Sequence, residues 1–201
     1  MWIGDNRHKG LGIFAAEHLQ IEPLDWSNVY KGHTESYSLP AQTVKYFLPC
    51  AVNKSIQLLG VWTHQNNSPT FGYIGQLWKY LQVNKQPLKK VLIAGDFNSN
   101  TIWDARDRWW NHSDVVRELQ ELEIESLYHK YFEEEQGKES KPTFFLHRKP
   151  QKPYHIDYVF GSRVFSRALT QLEIGNQEQW LKISDHLPLT CEFAAEERKL
   201  R

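Results

Sequence analysis

The segment Val91–Asn100, "VLIAGDFNSN", joins an apolar strand to a cluster of polar side chains. Val91 to Ala94 form a short, continuous apolar run typical of a central strand covered on both faces, and Gly95 ends it. Residues two apart in a strand point to the same side, so Asp96 and Asn98 are expected to project together from the strand end. Because Asp and Asn also favour turns, this segment alone leaves an ordinary turn and a functional site equally open.

Length and charge limit what the rest of the chain can be. The 201 residues fit one large domain, 1–201, and 24 basic residues balance 24 acidic ones. The chain therefore lacks the strong overall positive charge typical of nucleic-acid binders, and any contact with a polyanion must be local. Cys50 and Cys191 lie in separate apolar runs and are interpreted as buried thiols. No terminal apolar stretch resembles a signal peptide or a membrane span, which favours the cytoplasm.

Apolar periodicity predicts a chain rich in β-strands. The candidate strands are "GLGIFAA", "TVKYFLPCAV", "SIQLLGVWTH", "KVLIAGD", "PTFFLH", "HIDYVFG", "ALTQLEI" and "LPLTCEF". Helical spacing predicts helices over "TFGYIGQLWKYLQ" and over "SDVVRELQELE", the second capped by Ser113. We expect a hairpin-like turn at "VNKS", a solvated loop at "FEEEQGKESK" and a charged tail at "AAEERKLR". The predicted fold class is α+β, a single domain with two β layers.

Polar side chains recur at the ends of these predicted strands. Each has an ordinary structural explanation, such as a turn or a satisfied rim residue. Their joint occurrence is much harder to explain in that way, and it indicates a site. The residues are His64, Asp96, Asn98, Asp157, Asp185 and His186.

The order of these motifs resembles the endonuclease/exonuclease/phosphatase superfamily. The matching segments are "GDFN" at 95–98, "HIDYVF" at 155–160 and "SDH" at 184–186, with "VWTH" at 61–64 as a weaker match. The resemblance implies a two-layer β-sandwich flanked by helices, which agrees with the predicted strands. It also implies a divalent-metal-dependent phosphoesterase, most simply a nuclease-like enzyme that hydrolyses phosphodiester bonds with an activated water.

The resemblance assigns a metal and a water to the carboxylates. Asp185, together with Asp96, would bind Mg²⁺ or Mn²⁺, whose preference for oxygen ligands suits carboxylates. Asp96 would also activate the attacking water, while Asn98 orients it.

The resemblance assigns the phosphate to the histidines. His186 would contact the phosphoryl group, and Asp157 would fix its tautomer and raise its pKa. His64 would lie on the other side of the scissile phosphate.

One departure from the family pattern concerns the start of the chain. In these enzymes a strand bearing an asparagine and a second strand bearing a metal-binding glutamate precede the segment that "GLGIFAA" resembles. Here that segment begins at Gly10, so we expect a chain that is incomplete at its N-terminus. The alternative is a degenerate relative that binds nucleic acid without cutting it.

Two segments rich in basic and aromatic residues are candidates for substrate contact. They are "TIWDARDRWWNHSD" at 101–114 and "LHRKPQKPYH" at 146–155, and they suit phosphate binding and base stacking. A packed core of tryptophans with solvated basic residues remains equally open. Nucleic acid is the favoured partner, ahead of a small phosphoester or phosphoinositide. The candidate substrate-binding residues are Trp103, Arg106, Arg108, Arg148 and Tyr154.

Overall fold

A computed structural model describes residues 1–26, 45–65, 71–84 and 90–194. The strands in this part of the chain are β1 (Trp2–Asn6), β2 (Lys9–Gly12), β3 (Ile21–Pro23), β4 (Phe47–Val52), β5 (Ile56–Trp62), β6 (Val91–Asp96), β7 (Ile124–Ser126), β8 (Phe144–Phe145), β9 (Pro153–Tyr154), β10 (Asp157–Ser162), β11 (Leu169–Ile174) and β12 (Leu189–Phe193). The helices are α1 (Ile74–Val83), α2 (His112–Glu121), α3 (Leu127–Phe132), α4 (Arg163–Ala168) and α5 (Gln177–Trp180), with 3₁₀ turns at Thr101–Trp103 and Leu146–Arg148.

A six-stranded sheet with the order β3-β4-β5-β6-β10-β7 forms the centre of the fold. β5 and β6 run parallel, and the other neighbouring pairs are antiparallel. The register sets Trp62 opposite Asp96, and Asp96 opposite Asp157. These three residues therefore form one row at one end of the sheet, on the same face.

Helices α1 and α2 cover the opposite face of this sheet. The alternate residues of β5, β6 and β10, such as Val61, Ile93 and Phe160, are fully buried there. They pack against Leu77 of α1 and Leu119 of α2. The apolar spacing of both helices was predicted from the sequence, and the α+β class is confirmed.

Two separate β-ribbons pack on the other face of the sheet. The β1–β2 ribbon and the residues after it cover β4 and β5, where Ile13 packs against Leu48 and Cys50. The β11–β12 ribbon covers β6 and β10, where Leu172 belongs to the same apolar cluster as Leu92. No hydrogen-bonded pairing joins the two ribbons within the described residues. The second β layer consists of these two ribbons instead of one continuous sheet.

The start of α2 differs from the prediction. Ser113 is not the cap, because the helix already begins at His112 and Asn111 is the N-cap residue. The backbone N–H of Asn111 donates to Asp114, and the Asp104 carboxylate accepts the N–H groups of His112 and Ser113. Asp104 in the loop before the helix and Asp114 in its first turn therefore satisfy N–H groups at the start of α2.

The acidic segment "FEEEQGKESK" is also more than a solvated loop. Glu135 and Lys138 do form an exposed ion pair, as expected of such a loop. Glu139, in contrast, has only 4% of its side chain exposed. Glu134 accepts hydrogen bonds from the Tyr128 hydroxyl and from the Ser140 N–H and hydroxyl. The prediction was wrong for these two carboxylates because local composition does not report contacts with distant residues.

Smaller predictions have mixed outcomes. The turn at "VNKS" is confirmed as the β4–β5 hairpin, where Asn53 and Lys54 have positive φ. Both cysteines are free thiols, with Cys50 buried and Cys191 half-buried. Strands β1, β3, β7 and β9 and helices α3 to α5 were not predicted. The charged tail lies outside the described residues from 195 onward, and none of the described helices is long and apolar enough to cross a membrane.

Candidate active site

Gly95 allows β6 to approach β5 closely just before the polar cluster. Its φ is 146°, and a Cβ at this position would lie 1.9 Å from the carbonyl oxygen of Val61. Only glycine combines this backbone angle with the absence of a side chain. The glycine of "GDFN" is thus required by the strand pairing that delivers Asp96 to the sheet end.

Asn98 holds the Asp96 carboxylate through both of its oxygens. The Asn98 backbone N–H donates to Oδ1 at 2.8 Å, and its side-chain Nδ2 donates to Oδ2 at 2.7 Å. The same Nδ2 donates to the carbonyl of Thr63 at 2.8 Å, which ties the pair to the end of β5. Asn98 has a φ of 43°, a left-handed conformation that asparagine tolerates better than most residues. Asp96 and Asn98 therefore act as one rigid unit.

Asp157 and His186 form a second unit beside it. Asp157 begins β10 and lies opposite Asp96, and its N–H donates to the Thr143 hydroxyl at 3.0 Å. His186 Nδ1 lies 3.0 and 3.1 Å from the two Asp157 carboxylate oxygens. The backbone N–H of His186 donates to the Ser184 hydroxyl, and the centroid of the His186 ring is 4.6 Å from that of the Phe144 ring. This pairing leaves Nε2 as the ring nitrogen directed away from Asp157.

The two units meet in one acidic cluster. Asp96, Asp157 and His186 each offer a ligand atom, and these atoms lie within 4.8 Å of one another. Asp185 is not part of that trio; its backbone carbonyl accepts the Phe145 N–H, and its role as a metal ligand stays a prediction.

The charges in this cluster shift the pKa of two members. Burial and the Asp157 charge raise the pKa of Asp96 well above its usual value, although His186 and Asn98 oppose the shift. Burial works against protonation of His186, but its hydrogen bond to Asp157 and the nearby carboxylates raise its pKa. Two half-buried carboxylates in such proximity would be stabilised by a cation.

His64 lies on the β5 side of the cluster. Its Nδ1 is 2.7 Å from the Gln65 carbonyl oxygen, and its ring centroid is 4.8 Å from that of Tyr46 and 5.5 Å from that of Trp62. Lys9, on the β1–β2 ribbon, places its Nζ 5.5 Å from the Trp62 ring centroid. Trp62 is opposite Asp96 in the sheet, so Lys9 lies on this side of the cluster. Lys9 was not among the site residues predicted from the sequence.

An aromatic row extends from His186 on the other side. Phe144 contacts His186, Tyr154 lies 6.4 Å from Phe144, and Trp103 lies 5.3 Å from Tyr154, measured between ring centroids. Trp103 is 44% exposed. The structure therefore brings two of the predicted substrate residues, Trp103 and Tyr154, together at the edge of the site.

The three predicted arginines behave differently from one another. Arg106 is exposed. Arg108 donates to the Trp103 carbonyl at 2.6 Å and to Asn111 Oδ1 at 2.7 Å. Arg148 donates to the carbonyls of residues 182 and 183 at 3.3 and 2.9 Å. Two of the three guanidinium groups are thus engaged by the protein itself, and the contact of all three with substrate stays a prediction.

Sequence reasoning missed the residues that support the site from behind. Thr143 and Phe144 were assigned only to a strand, and Asn100 and Glu139 were not singled out. Asn100 is 2% exposed and donates to Glu139, to the His155 carbonyl and to the Tyr158 hydroxyl. Asn100 follows the "GDFN" motif closely, which is the one local signal that could have drawn attention to it.

Comparison with known proteins identifies the fold. No protein-family model and no curated protein sequence matches the chain. Among solved structures, it is similar to the 3′ phosphatase NExo from Neisseria bound to a product DNA hairpin, with a TM-score of 0.59 and 19% identity over 81% of this chain and 70% of that one.

Two further structures share the same architecture. One is an AP endonuclease from Archaeoglobus fulgidus, with a TM-score of 0.54 and 18% identity over 74% of this chain and 65% of that one. The other is the endonuclease domain of TRAS1, a telomere-specific non-LTR retrotransposon, with a TM-score of 0.53 and 16% identity over 90% of this chain and 72% of that one. The chain has the endonuclease/exonuclease/phosphatase fold, as the motifs indicated.

Proposed function

We propose that this protein is a divalent-metal-dependent phosphoesterase that hydrolyses phosphodiester bonds in nucleic acid. The observation that carries the proposal is the convergence of two preformed units, Asp96 with Asn98 and Asp157 with His186, at one end of the central sheet. Each unit pairs a carboxylate with a second group that fixes its direction. Such preorganisation supports hydrolytic chemistry more than a turn or a structural ion pair does.

Asp96 supplies the basic group in this proposal. Asn98 donates one hydrogen bond to each carboxylate oxygen of Asp96, which leaves both oxygens able to accept another, and Asp96 lies within the cluster shared with Asp157 and His186. A water held there would lose its proton to Asp96 as it attacks phosphorus.

His186 supplies the phosphate contact. Asp157 binds its Nδ1, so Nε2 is presented to a phosphoryl oxygen, and the raised pKa of His186 favours the cationic form that an anionic ester requires. Asp157 is thus a positioning residue. His64 would approach the same phosphate from the β5 side, where Lys9 adds positive charge.

The donor set fits a hard divalent cation. Asp96 offers a carboxylate within 4.8 Å of the Asp157–His186 pair, and Asp185 adds another next in sequence to His186, while Asp157 stays hydrogen-bonded to His186. Mg²⁺ or Mn²⁺ bound by Asp96 and Asp185 would neutralise charge on the phosphodiester and on the leaving oxygen. Burial and the Asp157 charge both raise the pKa of Asp96, and a bound cation would offset both effects.

Nucleic acid is the proposed substrate because of the aromatic row beside the site. Trp103 and Tyr154 offer ring faces on which bases could stack, next to a site for phosphate. The similar structure from Neisseria is a 3′ phosphatase bound to a product DNA hairpin, and that from Archaeoglobus fulgidus is an AP endonuclease, which agrees with this choice.

Metal-dependent cleavage tests the proposal directly. The purified chain is incubated with fluorescent single- and double-stranded oligonucleotides and with bis(p-nitrophenyl) phosphate, in Mg²⁺, in Mn²⁺ or in EDTA. We expect cleavage that EDTA abolishes and that Asp96→Asn reduces on the order of 10²-fold or more. Binding of oligonucleotide without cleavage in either metal would instead favour a non-catalytic binding module.

A further inference from the structure

We propose that Glu139 is a positioning residue for the candidate catalytic loop, acting through Asn100. The inference rests on the proposed function for its catalytic consequence, whereas its structural part can be tested without activity. It concerns a carboxylate in the acidic segment that sequence composition assigns to solvent.

Three N–H groups converge on the buried Glu139 carboxylate. His129 Nε2 lies 2.9 Å from Oε1, the Gly137 N–H donates to the same oxygen at 2.9 Å, and Asn100 Nδ2 lies 3.1 Å from Oε2. Burial opposes ionisation, but these hydrogen bonds lower the pKa of Glu139 to about 2. The group is therefore an anion that organises its neighbours, unlike an ordinary surface glutamate.

Asn100 connects this anion to the candidate site. Its Nδ2 also lies 3.1 Å from the His155 carbonyl and 3.0 Å from the Tyr158 hydroxyl, so its two hydrogens are shared among three acceptors and bridge the loop after β6 to the start of β10. The single hydrogen of the Tyr158 hydroxyl faces two acceptors, the His155 carbonyl at 3.0 Å and the Ser99 carbonyl at 3.2 Å. The residues at both ends of this bridge adjoin catalytic candidates, since Ser99 follows Asn98 and Tyr158 follows Asp157.

Asn100 also fixes the aromatic side of the site. Its Oδ1 accepts the Ile102 N–H at 3.1 Å and so caps the 3₁₀ turn Thr101–Trp103. That turn carries Trp103 toward Tyr154. Through one side chain, Glu139 therefore restrains both the loop that holds Asn98 and the exposed ring proposed to stack on substrate.

Replacement of Glu139 by glutamine should release this loop. A carboxamide keeps the size of the side chain but offers one acceptor oxygen where the carboxylate offers two, and its NH₂ group would oppose at least one of the three donors. We expect Asn100 to lose its anchor while the hydrophobic core is unchanged.

The same segment provides matched controls. Glu134→Gln breaks the hydrogen bonds to Tyr128 and Ser140, which stabilise the segment without reaching Asn100. Glu135→Gln removes a charge at an exposed ion pair. Asn100→Ser removes the hydrogen bond between Asn100 and Glu139 but keeps the contact of Glu139 with His129. This variant tests the proposed link if Glu139→Gln does not fold.

The experiment combines steady-state kinetics on oligonucleotide with hydrogen–deuterium exchange of peptides covering residues 97–103. For Glu139→Gln and Asn100→Ser we expect at least tenfold faster exchange in these peptides and at least tenfold lower kcat, with KM changed less than kcat. For Glu134→Gln and Glu135→Gln we expect exchange in 97–103 and kcat within twofold of the parent, whatever the change in Tm.

Unchanged exchange in 97–103 for Glu139→Gln, or equal effects of Glu139→Gln and Glu134→Gln, would overturn the inference. If the parent chain does not cleave, the proposed function fails, and the exchange measurement still decides whether Glu139 positions the loop. If the parent cleaves and exchange is unaffected, the inference fails alone.

Discussion

The pairing of Asp157 with His186 yields the sharpest prediction about the site. If Asp157 acts only by orienting and charging His186, its replacement should matter only while His186 is present. A double-mutant cycle of Asp157→Asn and His186→Ala measures this dependence directly.

The structure sets the expected magnitudes. A hydrogen bond to a charged partner contributes about 1.5–3 kcal/mol. The His186 side chain is 34% exposed and that of Asp157 is 18% exposed, so solvent screening favours the lower end, about 1.5 kcal/mol. Asp157→Asn should therefore reduce kcat about tenfold, since about 1.4 kcal/mol corresponds to a factor of ten. His186→Ala removes the phosphate contact itself and should cost on the order of 10²-fold.

The double variant separates the possible outcomes. We expect it to be no slower than His186→Ala alone, on the order of 10²-fold below the parent, when Mn²⁺-dependent hydrolysis of bis(p-nitrophenyl) phosphate is followed by absorbance. Asp107→Asn, which removes an exposed carboxylate, serves as the control for charge. A double variant on the order of 10³-fold slower than the parent, the product of the single effects, would refute the claim that Asp157 works through His186.

Three further perturbations test the surroundings of the site. Gly95→Ala would place a Cβ 1.9 Å from the Val61 carbonyl oxygen, so urea denaturation should show a loss of about 3 kcal/mol or more in the free energy of unfolding; a loss below about 1 kcal/mol would contradict the close approach. Burial lowers the pKa of His112 to about 4, so the folded chain disfavours the imidazolium. The free energy of unfolding should be about 2 kcal/mol lower at about pH 5 than at neutral pH, because it falls as the pH drops from about 6.5 toward 4. His112→Phe should remove this dependence on pH. An unchanged dependence in the variant would rule out His112 as its cause. Lys9→Ala should weaken oligonucleotide binding several-fold and reduce its salt dependence, as measured by fluorescence anisotropy titration. Lys45→Ala is the control and should have no such effect, because the Lys45 ammonium is paired with the Asp5 carboxylate. Equal effects of the two variants would argue against a specific contact by Lys9.

The parts of the fold that the sequence predicts are those with strong local periodicity. The continuous apolar run at Val91 to Ala94 lies in the central strand β6. The apolar residues at helical spacing in α1 form the face of that helix that packs into the core. The short elements that were missed, such as β7 with three residues, bury too few side chains to leave a periodic pattern. The ribbon arrangement of the second layer depends on long-range packing, which periodicity does not encode.

Candidate site residues were predictable where a motif and a strand end coincide. Asp96 and Asn98 are hydrogen-bonded to each other, but Asn98 lies beyond the end of β6 in a left-handed conformation, so a turn brings them together instead of the strand alternation that the spacing predicted. The spacing could not reveal that Asp157 lies opposite Asp96, because strand register between segments about sixty residues apart is set by the folded sheet. It also could not reveal that the guanidinium groups of Arg108 and Arg148 donate to backbone carbonyls. An arginine that binds substrate and one that stabilises the fold look alike in sequence.

Glu139 is the clearest case of a residue whose burial cannot be predicted from the sequence around it. Its partner Asn100 is 39 residues away in sequence, whereas the nearby Glu135 of the same run is exposed and paired only with Lys138. Charge runs are solvated on average because an isolated buried carboxylate is costly, and that cost disappears only when several donors converge on the group. Three donors from three different segments do so here. A buried anion that collects donors from distant segments necessarily couples their positions, so the loop after the central strand cannot shift without disturbing the acidic segment behind it.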